Sequence, residues 1–301
     1  MKKIMVIGSI SMDFVVKTNQ VPAEGETLIG ESFNTYYGGK GANQGVAASR
    51  LGGQVSMIGA VGKDVFGQEV LTNLKKNHIN TEGIKEVPEI STGVAHIIVK
   101  DGDNRIIVVP GTNDCLEIND IEQHQEAILA SDVVILQNET PAEVIDYVIN
   151  YCYQNNVATV LNPAPAREML ASTIAKATYL TPNETEFDLL FPDLPLEEAL
   201  EQYANKLIVT LGSQGAAFHD GQQLQMVPAF KVKPVDTTGA GDTFNGGLAV
   251  GIANHLSLKD SVTFGNLASS LAVQANGAQA GIPTLAQMKG EQLYDEAWHI
   301  E

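Results

Sequence analysis

Short apolar runs recur along the chain with helix-length stretches between them: IMVIG (4–8), VSMIGAVG (55–62), VVILQ (133–137), VATVLN (157–162), ATYLTPN (177–183) and LIVTLG (207–212). Runs that are apolar throughout, rather than alternating, belong to strands covered on both faces. Parallel neighbours of that kind need a crossover connection, usually a helix. The segments GANQGVAASRLG and PAEVIDYVINYCYQNN supply apolar residues at helical spacing for that cover. The pattern predicts an α/β fold, with a mainly parallel central sheet between two helical layers.

One region departs from this rhythm. GVAHIIVKDGDNRIIVVPG (93–111) is two β-rich runs around a D-G-D-N turn, a hairpin signal, and MDFVVKTN (12–19) leads into a further stretch without helical period. No Pro/Gly/Ser linker, internal repeat or low-complexity tract separates these segments from the rest. The expectation is one domain over 1–301, with a small β-sheet lid made by insertions at about 12–37 and 93–111.

The chemistry expected of such a chain is limited by its charge. A net charge of −18, with no cluster of Lys and Arg, argues against a nucleic-acid partner. Cys115 and Cys152 are too few and too far apart for a disulfide framework or a CxxC metal site, which fits free thiols in the cytoplasm. The start MKKIMVIGSISMD reads as a first strand and not as a signal peptide, and no apolar run is long enough to span a membrane.

The densest signal is DTTGAGDTFNGG (236–247), with glycines and aspartates at the start of an apolar helical stretch. Gly239 and Gly241 let the chain turn tightly and present successive N–H groups at the head of a helix, a cradle for an anion. A carboxylate there is out of place for anion binding alone. Asp242 either takes a proton from a hydroxyl that attacks a phosphoryl group held by those amides, or caps the helix. Asp236 either holds a cation or ends a strand. In YYGGKGANQGVAASRLGG (36–53), Gly38, Gly39 and Gly41 free the backbone while Lys40 and Asn43 offer donors to a hydroxylated ligand. TPNETEFDLL (181–190) sets Asn183, Glu184 and Glu186 at a helix start, which suits hydrated Mg²⁺ on a nucleotide phosphate, or ordinary placement of acids at that end. A Walker A loop is absent, since Asn34 stands at its first glycine position, and so is a G-x-G-x-x-G fingerprint after the first strand.

Taken in order, GSISMD, GGKGANQGVAASRLGG, GKDVFG, TPNETE, VTLGSQG and DTTGAGDTFNGG resemble the PfkB carbohydrate kinase family, and within it the ribokinase branch, over nearly the whole chain from Gly8 to about Ile282. The resemblance implies an αβα sandwich whose β-sheet lid covers the sugar and clasps a second subunit in a homodimer. It implies an ATP-dependent sugar kinase that transfers the γ-phosphate to the 5-hydroxyl of D-ribose. The alternatives are another sugar, such as 2-deoxyribose or a hexose, and a sugar sensor without turnover. By motif, Asp242 is the base, and Gly239, Ala240 and Gly241 form the anion hole. Ser11, Asp13, Gly39, Lys40, Asn43 and Glu139 line the sugar site with Asp242. Asn183 and Glu186 act at the ATP–Mg²⁺ end, and Thr210, Gly212, Gly215 and Asn266 border the nucleotide. Asp236, with carbonyls at Thr238, Ala275 and Gly277, surrounds an activating K⁺. Two positions depart from the family pattern: Ser11 replaces a usual Asn, and Gly281 replaces a common Ser near the cation.

Overall fold

A computed structural model describes residues 1–101 and 103–300 of the chain. Its centre is a six-stranded parallel sheet built from β1 (Lys3–Ile7), β4 (Gln54–Gly62), β5 (Asn80–Val87), β8 (Val133–Gln137), β9 (Ala158–Asn162) and β10 (Tyr179–Leu180), in the order β10-β9-β8-β1-β4-β5. Alternate residues serve opposite layers. Ile4 and Val6 of β1, with Val133 and Ile135 of β8, point into a core shared with Val46, Phe244, Leu248, Phe264 and Leu267. Met5 and Ile7, with Val134 and Leu136, point into a second core with Val144, Ile145, Val148 and Ile149. The helices Lys40–Arg50, Ala240–Ala253 and Leu258–Ala272 thus pack on one face, and Ala142–Gln154 on the other.

The sixth apolar run falls elsewhere than expected. It forms β11 (Ile208–Thr210), which belongs to an antiparallel trio with β12 (Ala216–His219) and β13 (Leu224–Val227). Isolated parallel bridges, Leu180 to Leu207 and Asn183 to Thr210, tie it to the edge of the central sheet. β5, β12 and β13 escape the run-based reading because each lies outside the doubly covered centre, and NTEGIKEV (80–87) mixes charge and glycine.

A separate four-stranded sheet comes from the two irregular segments: β2 (Ser11–Lys17), β3 (Ser32–Gly38), β6 (Gly93–Lys100) and β7 (Asp103–Val109), in the order β3-β2-β6-β7. The hairpin pairs Lys100 with Asp103 and Val94 with Val109, whereas β2 and β6 run parallel. Gly102 of its D-G-D-N turn lies outside the described residues. Phe14 stacks on Phe33 and His96 and meets the ring of Phe66 edge-on at 5.1 Å, which anchors this sheet to the helix Val65–Lys76. All of β7 is exposed, with Ile107 66% and Val108 57% accessible.

Candidate active site

The carboxyl ends of β1, β8 and β9 open toward the N-termini of the Lys40 and Ala240 helices, the usual location for a ligand in an open α/β sheet. The loop after β1 carries Ser9 and leads to Ser11 and Asp13. The loop after β8 carries Glu139, and β9 ends on Asn162. Gly41 lies so close to the first loop that a Cβ there would stand 2.6 Å from the Gly8 carbonyl carbon, so only glycine lets the helix start at this point.

Asp242 is in the first turn of the Ala240 helix, whose N-cap is Gly239 in the left-handed region at φ 76°. The Asp242 oxygens accept from side-chain amides and not from the N–H groups of the helix start, which removes the capping explanation for this carboxylate. Instead it turns inward and is buried. Oδ2 accepts from Nδ2 of Asn43 at 2.9 Å, and Oδ1 accepts from Nε2 of Gln44 at 2.9 Å. Burial drives its pKa up, against the pull of the Lys40 ammonium and of the two amides. Burial works against the charge of Lys40, yet Asp242, Glu139, Glu186 and Asp13 around it lift its pKa.

Glu139 accepts from the Ser9 hydroxyl at 2.5 Å and from the Lys40 N–H at 2.9 Å, which fixes it at the mouth of the helix. Asp13 is pushed up to about 6, chiefly by burial and further by Glu139 and Asp242, despite a bond from the Ser11 hydroxyl at 3.3 Å. The structure thus gathers Ser11, Asp13, Gly39, Lys40, Asn43, Glu139 and Asp242 at one place.

Two joined cavities flank the Ala240 turn. The smaller, about 180 Å³, is polar and is lined by Lys40, Asn162, Glu186, Gly239 and Asp242 among others. The larger, about 870 Å³, is lined by Thr210, Gly212, Gly215, Asn266, Phe230 and Phe244 among others. Asn183, Thr210, Thr237, Ala240 and Gly241 border both. A Cβ on Gly241 would meet nothing within 4 Å, so the helix end faces open space that an anion can fill. The volume and the mixed apolar and polar lining fit a nucleotide. Glu186 is half of a capping box: its backbone N–H donates to Asn183 Oδ1 and its Oε2 accepts from the Asn183 N–H, both at 2.9 Å. It nonetheless lines the small cavity, where burial raises its pKa. Glu184 is exposed on the same turn.

Behind the turn, Asp236 Oδ1 accepts from the Thr238 N–H at 2.9 Å and Oδ2 accepts from the Gly277 N–H at 2.8 Å. Burial opposes its ionisation, but these N–H groups hold its pKa below the ordinary value, so it is a carboxylate. Ala278 packs so tightly on Gly239 that a Cβ there would stand 2.8 Å from the Ala278 carbonyl oxygen. Gly281 lies 2.0 Å, measured from the Cβ it lacks, from the carbonyl oxygen of Ala272. A serine would not fit this backbone, which explains the departure at that position. Ala275 lies on the same loop, its N–H directed to the Ala272 carbonyl at 3.4 Å. Among the described residues no cluster of His, Cys, Asp or Glu is arranged to hold a metal ion.

Motif reading misses the polar side chains that surround these groups. Gln44, Gln137, Asn162, Thr181, Asn245 and Gln279 are all buried and joined to the site by hydrogen bonds. The available signal is a polar residue closing an apolar run at the carboxyl end of a strand, as at Gln137 and Asn162.

This fold and this constellation define a carbohydrate kinase. The chain matches the pfkB family carbohydrate kinase model over residues 1–285 and belongs to that family. It is similar to a ribokinase of Lactococcus lactis, at 50% identity over 292 residues and 97% of each chain. It is also similar to a deoxyribokinase of Salmonella typhi, at 36% identity over 296 residues, 94% of this chain and 96% of that one. Among solved structures, a ribokinase from Thermotoga maritima superposes with a TM-score of 0.88 at 34% identity, over 96% of this chain and 99% of that one. The Arabidopsis thaliana ribokinase complexed with ribose and ATP gives 0.87 at 27% identity, over 95% and 96%.

Proposed function

We propose that this enzyme is an ATP-dependent ribokinase, transferring the γ-phosphoryl group of ATP to the 5-hydroxyl of D-ribose. The observation that carries the reading is the Ala240 turn. It sets a buried carboxylate beside the N-terminus of a helix, where the Ala240 N–H is held by the Thr237 carbonyl at 3.2 Å and Gly241 faces open space, between a small polar cavity and one of nucleotide size.

In this reading Ser11, Asp13, Gly39, Lys40, Asn43 and Glu139 bind the sugar, and the 5-hydroxyl points at Asp242. As the new O–P bond forms, Asp242 takes the hydroxyl proton and the bond from phosphorus to the leaving ADP oxygen breaks. The amides of Gly239, Ala240 and Gly241 stabilise the charge that develops on the transferring oxygens. A base with a raised pKa is better matched to a hydroxyl proton than an ordinary aspartate. Thr210, Gly212, Gly215 and Asn266 border the nucleotide.

Asn183 and Glu186 would hold Mg²⁺, with the Glu186 oxygens already accepting from Asn183. Mg²⁺ supplies neutralisation of phosphate charge. Asp236 with carbonyls of Thr238, Ala275 and Gly277 would hold K⁺, which would supply positive charge behind the loop that packs on Gly239. The exposed apolar strand β7 supports a homodimer formed through the side sheet acting as a lid. Free thiols at Cys115 and Cys152 accord with a cytoplasmic location, and no helix among the described residues is long and apolar enough to cross a membrane.

The test is a panel of pentoses and hexoses with ATP and Mg²⁺, followed by ADP release. Ribose as the best substrate supports the reading, and a flat response to every sugar overturns it. A second reading, 2-deoxyribose as substrate, is favoured by Ser11, whose hydroxyl is drawn to Asp13 and is shorter than the amide usual at that position.

A further inference from the structure

We propose that Gln44 and Gln279 are positioning residues that hold the Asp242 carboxylate in one orientation from two sides without touching a substrate. The inference rests on Asp242 being the base. Gln44 is completely buried, on the face of the Lys40 helix that meets the Ala240 helix. Its amide is fixed at three points. One Nε2 proton goes to Asp242 Oδ1 at 2.9 Å, the other to Asn162 Oδ1 at 3.1 Å, and its Oε1 accepts from Gln137 Nε2 at 2.8 Å. A flipped amide would set Oε1 against two acceptor oxygens and Nε2 against a donor, so only one orientation satisfies the surroundings.

The chain of bonds continues beyond Asn162. Asn162 donates to the Thr181 carbonyl at 3.0 Å, the Thr181 hydroxyl donates to Asn245 Oδ1 at 2.6 Å, and Asn245 Nδ2 donates to the Gly241 carbonyl at 2.8 Å. Gly241 is part of the anion cradle. The carboxylate and the peptide of the cradle are therefore tied into one hydrogen-bonded path.

Gln279 acts on the other oxygen, through Asn43. Its Nε2 donates to Asn43 Oδ1 at 2.9 Å, so Asn43 must present Nδ2 to Asp242 Oδ2. Gln279 is itself held, since its Oε1 accepts from Asn73 at 2.8 Å and its carbonyl accepts from Arg50 at 2.6 Å. Each carboxylate oxygen thus receives one neutral donor, and the carboxylate cannot rotate without losing both. Neutral amides orient a base without the large pKa depression that a second cation would bring. The charged groups facing Asp242 are Lys40, Glu139, Asp13 and Glu186.

The test compares Gln44→Met and Gln279→Met with wild type and with Asp242→Asn, measuring kcat, sugar KM and the pH profile of kcat. A positioning role predicts a loss of kcat of about tenfold or more for Gln44→Met, with sugar KM within about threefold. It also predicts that the acid limb of the profile moves up by about half a unit or more, because a donor to the ionised form is gone. Gln279→Met should shift both quantities in the same direction by a smaller factor. A role in folding alone would lower the melting temperature and leave kcat and the acid limb at wild-type values, which overturns the proposal. If Gln44→Met yields no folded protein, Gln279→Met decides. An inactive Asp242→Asn beside wild-type kinetics in the glutamine variants refutes only this inference, whereas an active Asp242→Asn refutes the assignment of the base.

Discussion

The rim of the central sheet and the side sheet are built on opposite plans. At the rim, Asp242, Asn43, Gln44, Asn162 and Gln279 are buried and bonded to one another, and backbones approach so closely that Gly41, Gly239 and Gly281 have no space for a methyl group. In the side sheet, β7 exposes every residue, and Phe33, Ile106 and Ile107 offer apolar surface to solvent. The rim gains precision by bonding most of its buried polar groups internally, Gln137 Oε1, Asn138 Oδ1 and Thr140 Oγ1 being exceptions, which makes it intolerant of change. The side sheet has fewer internal constraints and leaves apolar surface exposed. Small changes should therefore be costly at the rim and mild in the side sheet, except where they alter assembly.

Among changes that leave the Asp242 carboxylate in place, the largest effect is expected from Gly239→Ala. The new methyl group must enter a left-handed conformation and stand 2.8 Å from Ala278, so the turn has to shift. Turnover should fall by about thirtyfold or more and the melting temperature by several degrees, on the order of 1–3 kcal/mol of strain. Steady-state kinetics and calorimetry check this, and wild-type turnover would break the contrast at its rigid end.

Next comes acid. Asp13 carries a pKa of about 6, raised mainly by burial, so it gains its proton as pH falls through that value. The form that accepts hydrogen bonds from sugar hydroxyls is then lost. Below pH 6, kcat/KM for the sugar should fall by up to about tenfold per unit, with an apparent pKa that Asp13→Asn abolishes. For stability the sign is opposite. A raised carboxylate pKa means that the folded chain binds the extra proton, so Asp13 opposes folding most above pH 6 and progressively less toward the unfolded value of 3.8. Unfolding midpoints of wild type and Asp13→Asn should thus diverge most near neutral pH.

Ile107→Lys in the side sheet should abolish dimerisation and leave kcat within about threefold. Light scattering at micromolar concentration should give twice the chain mass of 32.1 kDa for wild type and the single chain mass for the variant. Wild type at the single mass would remove the reason given for the exposed strand. Smallest is Ser11→Asn, which should raise the preference for ribose over 2-deoxyribose by about three- to tenfold, through an amide that loses a partner when the 2-hydroxyl is missing. An unchanged or reduced ratio of kcat/KM would show that Ser11 does not set the preference.

The same division explains what the sequence alone discloses. β1, β4, β8 and β9 read directly, because strands covered on both faces are apolar throughout, and the hairpin at 93–111 reads from its turn chemistry. β5 is an edge strand with charges and Gly83, so it lacks both signatures. Asp242 stands out because glycines and an apolar helix surround it. Gln44 and Gln279 do not, since their meaning arises only when segments 198 and 236 residues apart meet at hydrogen-bond distance. The capping box of Asn183 and Glu186 shows the opposite problem: the acidic helix start is visible, but its local structural use is indistinguishable in sequence from a ligand site.

The central claim is that Asp242 takes the proton of the attacking hydroxyl beside an amide cradle that holds the phosphoryl group. The most direct test is Asp242→Asn, with ribose affinity measured by calorimetry and phosphoryl transfer measured in single turnovers with ATP. Asparagine has the same shape, but accepting both amide bonds at Oδ1 and Oδ2 is no longer possible, so some loss of melting temperature is expected as well. The account predicts that the transfer rate falls by at least about a hundredfold while ribose affinity changes by less than about threefold. A variant that transfers phosphate at close to the wild-type rate would contradict it.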